Sequence, residues 1–272
     1  MPNEAVAPML EFRNVLKKFY PGTVNEKVAL DGLSLTVQPG EFITVIGGNG
    51  AGKSTLMNAL TGVFPIDEGQ ILLEGRDITQ LPEHKRAHFF GRVFQDPMMG
   101  TAPNMGIDEN LALAYRRNKR HGLRWHISAK EREAYREELA RLDLGLEDRL
   151  TSKVGLLSGG QRQALTLLMA TLVEPKVLLL DEHTAALDPK TAAKVLSLTE
   201  EIVSRSNITT LMVTHNMKDA IAHGNRLIML NAGRVIIDVS GEEKKKLTVD
   251  ALLEAFARAS GSEFASDRAL LS

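Results

Sequence analysis

The segment Gly47-Gly48-Asn49-Gly50-Ala51-Gly52-Lys53-Ser54-Thr55 constrains the fold more than any other part of the chain. It matches G-x-x-x-x-G-K-[ST], the P-loop, whose backbone N–H groups wrap a phosphate. A nearly continuous apolar run, Phe42–Ile46, precedes it, the mark of a strand covered on both faces. Leu56 and Leu60 follow at helical spacing. Glycines let the backbone close round the anion, and the new helix aims its positive dipole end at the same charge. Lys53 is placed to reach the β- and γ-phosphates of a nucleotide, and the Ser54 hydroxyl to ligate Mg2+. A glycine-rich turn that binds nothing is the alternative; strand, loop and helix in register weigh against it.

The flanking pattern is compatible with that core. Leu10 and Phe12 alternate with polar neighbours, as do Leu33, Leu35 and Val37 before the turn Gln38-Pro39-Gly40. Asp67-Glu68-Gly69 is a turn before a short strand, Ile71–Leu73. From about Asn104 to Leu150 the chain reads as helical. Ser128 and Glu131 form a capping box, Tyr135, Leu139 and Leu142 share a face, and Gly145 is the expected stop. A helix from about Gly160 leads to Pro175 and the buried strand Val177–Leu180. Asp188 caps a further helix with Pro189 at its first position. Leu211–Val213 is another strand, Arg226–Leu230 and Arg234–Asp238 a hairpin, and Val249–Arg258 a last helix before a polar tail. Helix alternating with apolar strand predicts an α/β fold with a parallel, doubly wound sheet.

Composition removes several functions. Lys+Arg 33 against Asp+Glu 34 gives a net charge of -1, which argues against a broadly basic nucleic-acid binder. With no cysteine, disulfides, thiolate zinc sites and Cys nucleophiles are excluded. No apolar run approaches the roughly 18–20 residues of a membrane span. Met1 to Phe12 carries Glu4 and Glu11 and has no basic flank before an apolar stretch, so it does not read as a signal peptide. Work at a membrane would require a partner to hold the protein there.

Two further motifs carry chemistry. Val177-Leu178-Leu179-Leu180-Asp181-Glu182 is an apolar strand ending in acids. Behind a P-loop, Asp181 would hold the Mg2+ shell, and Glu182 would polarise an attacking water; two acids ending a strand in solvent is the plainer alternative. Leu157-Ser158-Gly159-Gly160-Gln161 opens an apolar helix and forms a second anion-binding corner, which suggests a nucleotide shared between two chains. Ser158 is equally an ordinary N-cap, and spacing alone does not decide.

In order, Gly47–Thr55, Gln95, Leu157–Gln161, Asp181-Glu182 and His215 resemble an ABC-type ATPase from about Leu10 to Asp238. The resemblance implies a P-loop NTPase (RecA-like) core, an N-terminal antiparallel β subdomain and an inserted helical subdomain. The cassette would span 8–245, its helical part about 97–153, with a C-terminal helix and tail at 246–272. It implies two copies paired head to tail, each ATP lying between one P-loop and the other copy's Ser158, Gly159, Gly160 and Gln161. Gln95 would be the Q-loop glutamine sensing Mg2+ and γ-phosphate, His215 the switch histidine and Asp188 the D-loop aspartate. Read alone, His215 is more ordinarily a capping or core histidine. Phe19 would stack on adenine, with Tyr20 the other candidate. Membrane permease subunits would be partners, and an extracytoplasmic solute-binding protein an indirect one, with the chain cytoplasmic on the inner face of the membrane.

A single short cassette looks like an importer subunit, and residues 181–192 resemble ATPases of tryptophan/tyrosine-type transporters, related to those for branched-chain amino acids. The rival is a soluble ABC ATPase of the iron–sulfur assembly type. One departure stands out: His183 occupies the position where the family usually has proline. A proline would bias Glu182 towards extended backbone; histidine removes that bias. The substitution reads either as tolerated or as tuning Glu182. A basic cluster, Arg116, Arg117, Lys119, Arg120 and Arg124 beside Trp125, reads as a solvated helix face or as a contact for a permease loop or anionic lipid.

Overall fold

The computed structural model describes residues 7–117 and 127–260. Glu4, the basic residues Lys119, Arg120 and Arg124 with Trp125, and the tail after Ser260 lie outside the described residues. The chain forms two compact units, one from Met1–Ala87 with Ile208–Ser272, the other His88–Asn207.

The first unit opens with β1 (Leu10–Phe19) and β2 (Lys27–Val37), followed by β3 (Phe42–Ile46) and α1 (Lys53–Thr61). Then come β4 (Glu68–Leu73), β5 (Arg76–Asp77) and α2 (Glu83–Arg86). Alternation sends Leu10 and Phe12 inward, an irregularity at Asn14 (φ 48) resets the phase so that Val15 is buried too, and these strands make an antiparallel sheet in the order β2-β1-β4-β5. The β4 strand begins at Glu68, inside the expected turn, because Glu68 pairs with Leu16. All five residues of β3 are buried.

The second unit contains β6 (Phe90–Val93), α3 (Ile107–Arg116), α4 (Ala129–Ala140), a 3-10 turn at Val154–Leu156, α5 (Gly159–Thr171), β7 (Val177–Asp181) and α6 (Pro189–Ser206). The β6 and β7 strands pair in parallel, Arg92 opposite Leu179 and Val93 opposite Leu180. The Ser128–Glu131 capping box opens α4 as expected. The helix ends at Ala140, short of Gly145: Asp143 takes a left-handed backbone (φ 51), and tight turns back to Leu139 and Ala140 end it.

The chain then returns to the first unit with β8 (Thr209–Val213), α7 (Met217–Ala222), β9 (Arg226–Asn231), β10 (Arg234–Ser240), α8 (Gly241–Lys245) and α9 (Val249–Ser260). The β3 strand lies between β8 and β9, parallel to both, and β10 closes the expected hairpin on β9. Leu252 and Phe256 of α9 pack with Ile46, Met217, Leu227 and Met229, which ties the last helix to the P-loop strand. Among the described residues no helix is long and apolar enough to cross a membrane.

Candidate functional site

In an open parallel sheet, ligands bind outside the carboxyl ends of the strands. In the first unit, β3 ends at Ile46 and the glycine loop begins at once. Gly52 caps α1 with φ 108, and a Cβ there would lie 2.6 Å from the Ala29 carbonyl oxygen, so only glycine fits. Lys53 is buried, its Nζ donating to the carbonyl oxygens of Gly47 at 2.7 Å and Gly48 at 3.1 Å. The ammonium thus rests on its own loop, a short swing from any phosphate the loop encloses. Asn49, Gly50 and Ser54 face solvent, and Thr55 is half-buried.

His215 belongs to the same edge. Thr214 N–H donates to the Val45 carbonyl at 3.1 Å, so the β8 strand ends level with β3. His215 follows, exposed, and Asn216 caps α7 by accepting from Lys218 N–H and Asp219 N–H. The two aromatic candidates differ. The Phe19 ring stands edge-on to Phe64, centroids 5.3 Å apart, with Lys17 Nζ over both. Tyr20 is 70% exposed on a left-handed backbone (φ 53).

In the second unit, Gln95 emerges just past β6 and Asp181-Glu182 at the end of β7, on adjacent parallel strands. Gln163 Nε2 donates to the Phe94 carbonyl and steadies the segment carrying Gln95. Asp181 accepts a 3.0 Å bond from Arg92 Nη2, and the Arg92 guanidinium lies 4.7 Å from the Phe94 ring centre. Glu182 is half-buried with a left-handed backbone (φ 45), not the extended one a following proline would favour. Sequence reasoning missed Arg92, Gln163 and Arg86. The partners of Arg92 and Gln163 come from distant segments, and two of the carbonyls that Arg86 holds, Ala59 and Leu60, lie in α1.

Ser158 is the N-cap of α5: its Oγ accepts from Gln161 N–H, and Gln161 Oε1 accepts from Ser158 N–H. The cap uses the oxygen as acceptor and leaves the hydroxyl proton to donate outward, so capping and phosphate binding are compatible. Gly160 has a packing reason as well, since a Cβ there would come 2.1 Å from Thr191 Cγ2. Ser158, Gly160 and Gln161 line an open pocket of 640 Å³ with Lys190, Thr191 and Lys194. Asp188 caps α6, accepting from Thr191 N–H at 3.1 Å, and these Thr191 hydrogen bonds hold its carboxyl below the ordinary value. Of the basic cluster, Arg116 pairs with Glu131 at 3.3 Å and Arg117 donates to the Val173 carbonyl.

Each unit carries hard oxygen donors of the kind Mg2+ takes: the exposed Ser54 hydroxyl in the first, and the Gln95 amide and the Asp181 carboxylate, which accepts the Arg92 N–H, in the second. Among the described residues no three His, Asp or Glu side chains converge on a metal position. Few hard oxygen ligands are what Mg2+ needs when it arrives on a nucleotide's phosphates and keeps several waters.

Fold and loop together define a P-loop nucleotide-binding protein of the α/β class. Comparison with known proteins narrows this. The family described as ABC transporter matches residues 30–185. A tyrosine transport ATP-binding protein of Clostridioides difficile (strain R20291) is 48% identical over 248 residues, 91% of this chain and 98% of that protein. A methionine import ATP-binding protein of Rhizobium johnstonii is 39% identical over 211 residues, but this chain spans only 56% of its length. Among solved structures, the dimeric post-hydrolysis state of the cassette MJ0796 bound to ADP and Pi aligns with TM-score 0.73 at 28% identity, covering 85% of this chain and 98% of that one. The ADP form of the cassette MJ1267 aligns with TM-score 0.76 at 28% identity, covering 92% and 98%. The chain belongs to the ABC transporter family, as one of its ATP-binding, ATP-hydrolysing subunits.

Proposed function

We propose that this chain powers import of an amino acid of the tyrosine class through separate membrane permease subunits. It would work as a homodimer on the inner face of the membrane, with a solute-binding protein as the indirect partner outside. The solute rests on the tyrosine transport relative, matched over nearly its whole length. The rival soluble, iron–sulfur assembly reading has no support among the relatives described above.

The observation that carries the ATPase chemistry is the buried Lys53 ammonium lodged on the Gly47 and Gly48 carbonyls at the start of α1. When ATP enters, Lys53 exchanges those carbonyls for phosphate oxygens, while backbone N–H groups of Gly47, Asn49, Gly50, Ala51, Gly52, Ser54 and Thr55 close round the phosphates. Phe19 stacks on adenine, with Tyr20 as the other candidate. Ser54, Gln95 and Asp181 would hold Mg2+, which would neutralise charge on the β- and γ-phosphates. His215 donates to the γ-phosphate, and Ser158, Gly159, Gly160 and Gln161 of a second copy cover it from the other side. Glu182 accepts a proton from the attacking water, and Asp188 faces the second copy.

Loss of the γ-phosphate removes the contact that joins the two copies, so the pair opens, a change of state driven by differential contacts. Met98, Met99 and Leu156, 41%, 69% and 72% exposed, offer an apolar surface for a permease helix. Arg162 ties that surface together, donating to the Gly155 and Leu157 carbonyls and contacting Met98 Sδ. In domain terms the cassette is 8–245, its helical part about 97–153, and 246–272 an appended helix and tail. The test is uptake of labelled tyrosine in cells lacking this chain: the wild-type copy restores it and Glu182→Gln does not. Undiminished uptake in the deletion strain removes the transport assignment.

A further inference from the structure

His183 is the residue whose chemistry the reading above leaves unused. It is 2% exposed, and its Nε2 lies 3.2 Å from Oγ1 of Thr199, a fully buried residue sixteen positions on, in α6. The direction of that bond follows from the hydroxyl's other contact. Thr199 Oγ1 donates to the Val195 carbonyl at 2.8 Å, and a carbonyl only accepts. The single hydroxyl proton is committed there, so the imidazole Nε2–H is the donor to Thr199. His183 is therefore staked into the helix that Asp188 caps.

Its neighbour is in an unusual conformation. Glu182 holds φ 45, in the left-handed region that a non-glycine residue keeps only where its surroundings impose it. Two restraints flank it: the parallel strand β7 ends at Asp181, and His183 is pinned to α6. We propose that His183 is a positioning residue, whose buried imidazole fixes, through Thr199, the backbone from which Glu182 presents its carboxylate to the attacking water. The inference rests on the reading of Glu182 as the catalytic base. It concerns the aim of that base and not nucleotide binding, so it separates kcat from KM.

The experiment compares four variants of the full chain in steady-state ATP hydrolysis. Thr199→Val removes the acceptor and keeps the shape; His183→Leu removes the donor; His183→Gln returns an N–H donor at about the Nε2 reach; Glu182→Gln is the control. Thr199→Val and His183→Leu are expected to lower kcat about tenfold or more while ATP KM stays within twofold. His183→Gln should recover at least half of the wild-type kcat, and the double variant His183→Leu/Thr199→Val should be no worse than His183→Leu alone. Should His183→Leu fail to fold, Thr199→Val carries the test. A Thr199→Val kcat within twofold of wild type, or a His183→Gln as impaired as His183→Leu, overturns the proposal. If Glu182→Gln itself keeps turning over, the base assignment fails; if it stops while Thr199→Val does not, only the positioning role fails.

Discussion

Arg86 offers the sharpest test of how the P-loop helix is held. Only 2% exposed, it fans its guanidinium over four backbone carbonyls: Ala59 at 2.7 Å, Leu60 at 2.9 Å, Leu81 at 2.7 Å and Thr79 at 2.7 Å. Two of these, Ala59 and Leu60, lie in the last turn of α1, where unpaired carbonyls and the negative dipole end favour a cation. Burial lowers the guanidinium pKa from its ordinary value while Asp77 works the other way, and arginine remains charged at neutral pH. Arg86→Met keeps most of the stem volume and strips all four bonds. Hydrogen bonds to a charged group contribute about 1.5–3 kcal/mol each. Counting only the two fully buried ones to Ala59 and Leu60 gives a loss of about 3–6 kcal/mol. At about 2–4 °C per kcal/mol for a chain of this size, Tm should fall by roughly 6–24 °C in calorimetry. Arg86→Lys should recover only part, because one ammonium does not span four carbonyls. An Arg86→Met protein melting within about 2 °C of wild type would refute the reasoning.

Glu182→Gln should cut hydrolysis by about 100-fold or more while ATP binding, followed by calorimetric titration, is retained; undiminished turnover removes Glu182 from the base role. Phe19→Ala should weaken ATP binding about tenfold or more, while Tyr20→Ala leaves it within about twofold; the reverse order assigns the adenine to Tyr20. Tyr135 is 3% exposed and its hydroxyl has no hydrogen-bond partner, so Tyr135→Phe should be neutral or stabilise by about 1–2 kcal/mol. Burial pushes its pKa up to about 12. Between about 10, the unfolded value, and that folded value, the unfolded chain releases the proton first, so wild-type stability falls as pH rises. Tyr135→Phe should lose this slope in denaturant titrations over that range, and an unchanged slope would contradict the assignment.

The sequence made the P-loop legible because its signals are local: an apolar strand, glycines whose backbone no other residue adopts, and a helix start. The Asp188-Pro189 cap and the Ser128–Glu131 box are legible for the same reason, a side chain bonding its own neighbourhood. Ser158 shows the limit. Its local chemistry serves a helix cap and a phosphate equally, and the structure realises the cap while leaving the hydroxyl proton to donate. The α4 helix ends at Ala140, ahead of the stop expected at Gly145, because left-handed backbone comes first at Asp143 (φ 51), with Gly145 (φ 64) following. Arg92, whose partner Asp181 is 89 residues away, Thr199 beneath His183, and Arg86 in a four-residue polar helix carry no periodic signal. Only tertiary structure brings Asp181 to Arg92, Thr199 to His183, and the Ala59 and Leu60 carbonyls to Arg86.

On the reading above, one copy's Ser158 corner completes the site on another copy's nucleotide. Sedimentation of the Glu182→Gln protein with and without ATP and Mg2+ tests it most directly, alongside the same protein carrying Ser158→Arg. ATP should convert the first from monomer to dimer, while the second binds ATP with unchanged Kd yet remains a monomer. Dimers formed equally well by the Ser158→Arg protein, or ATP binding lost with that substitution in the isolated monomer, would contradict it.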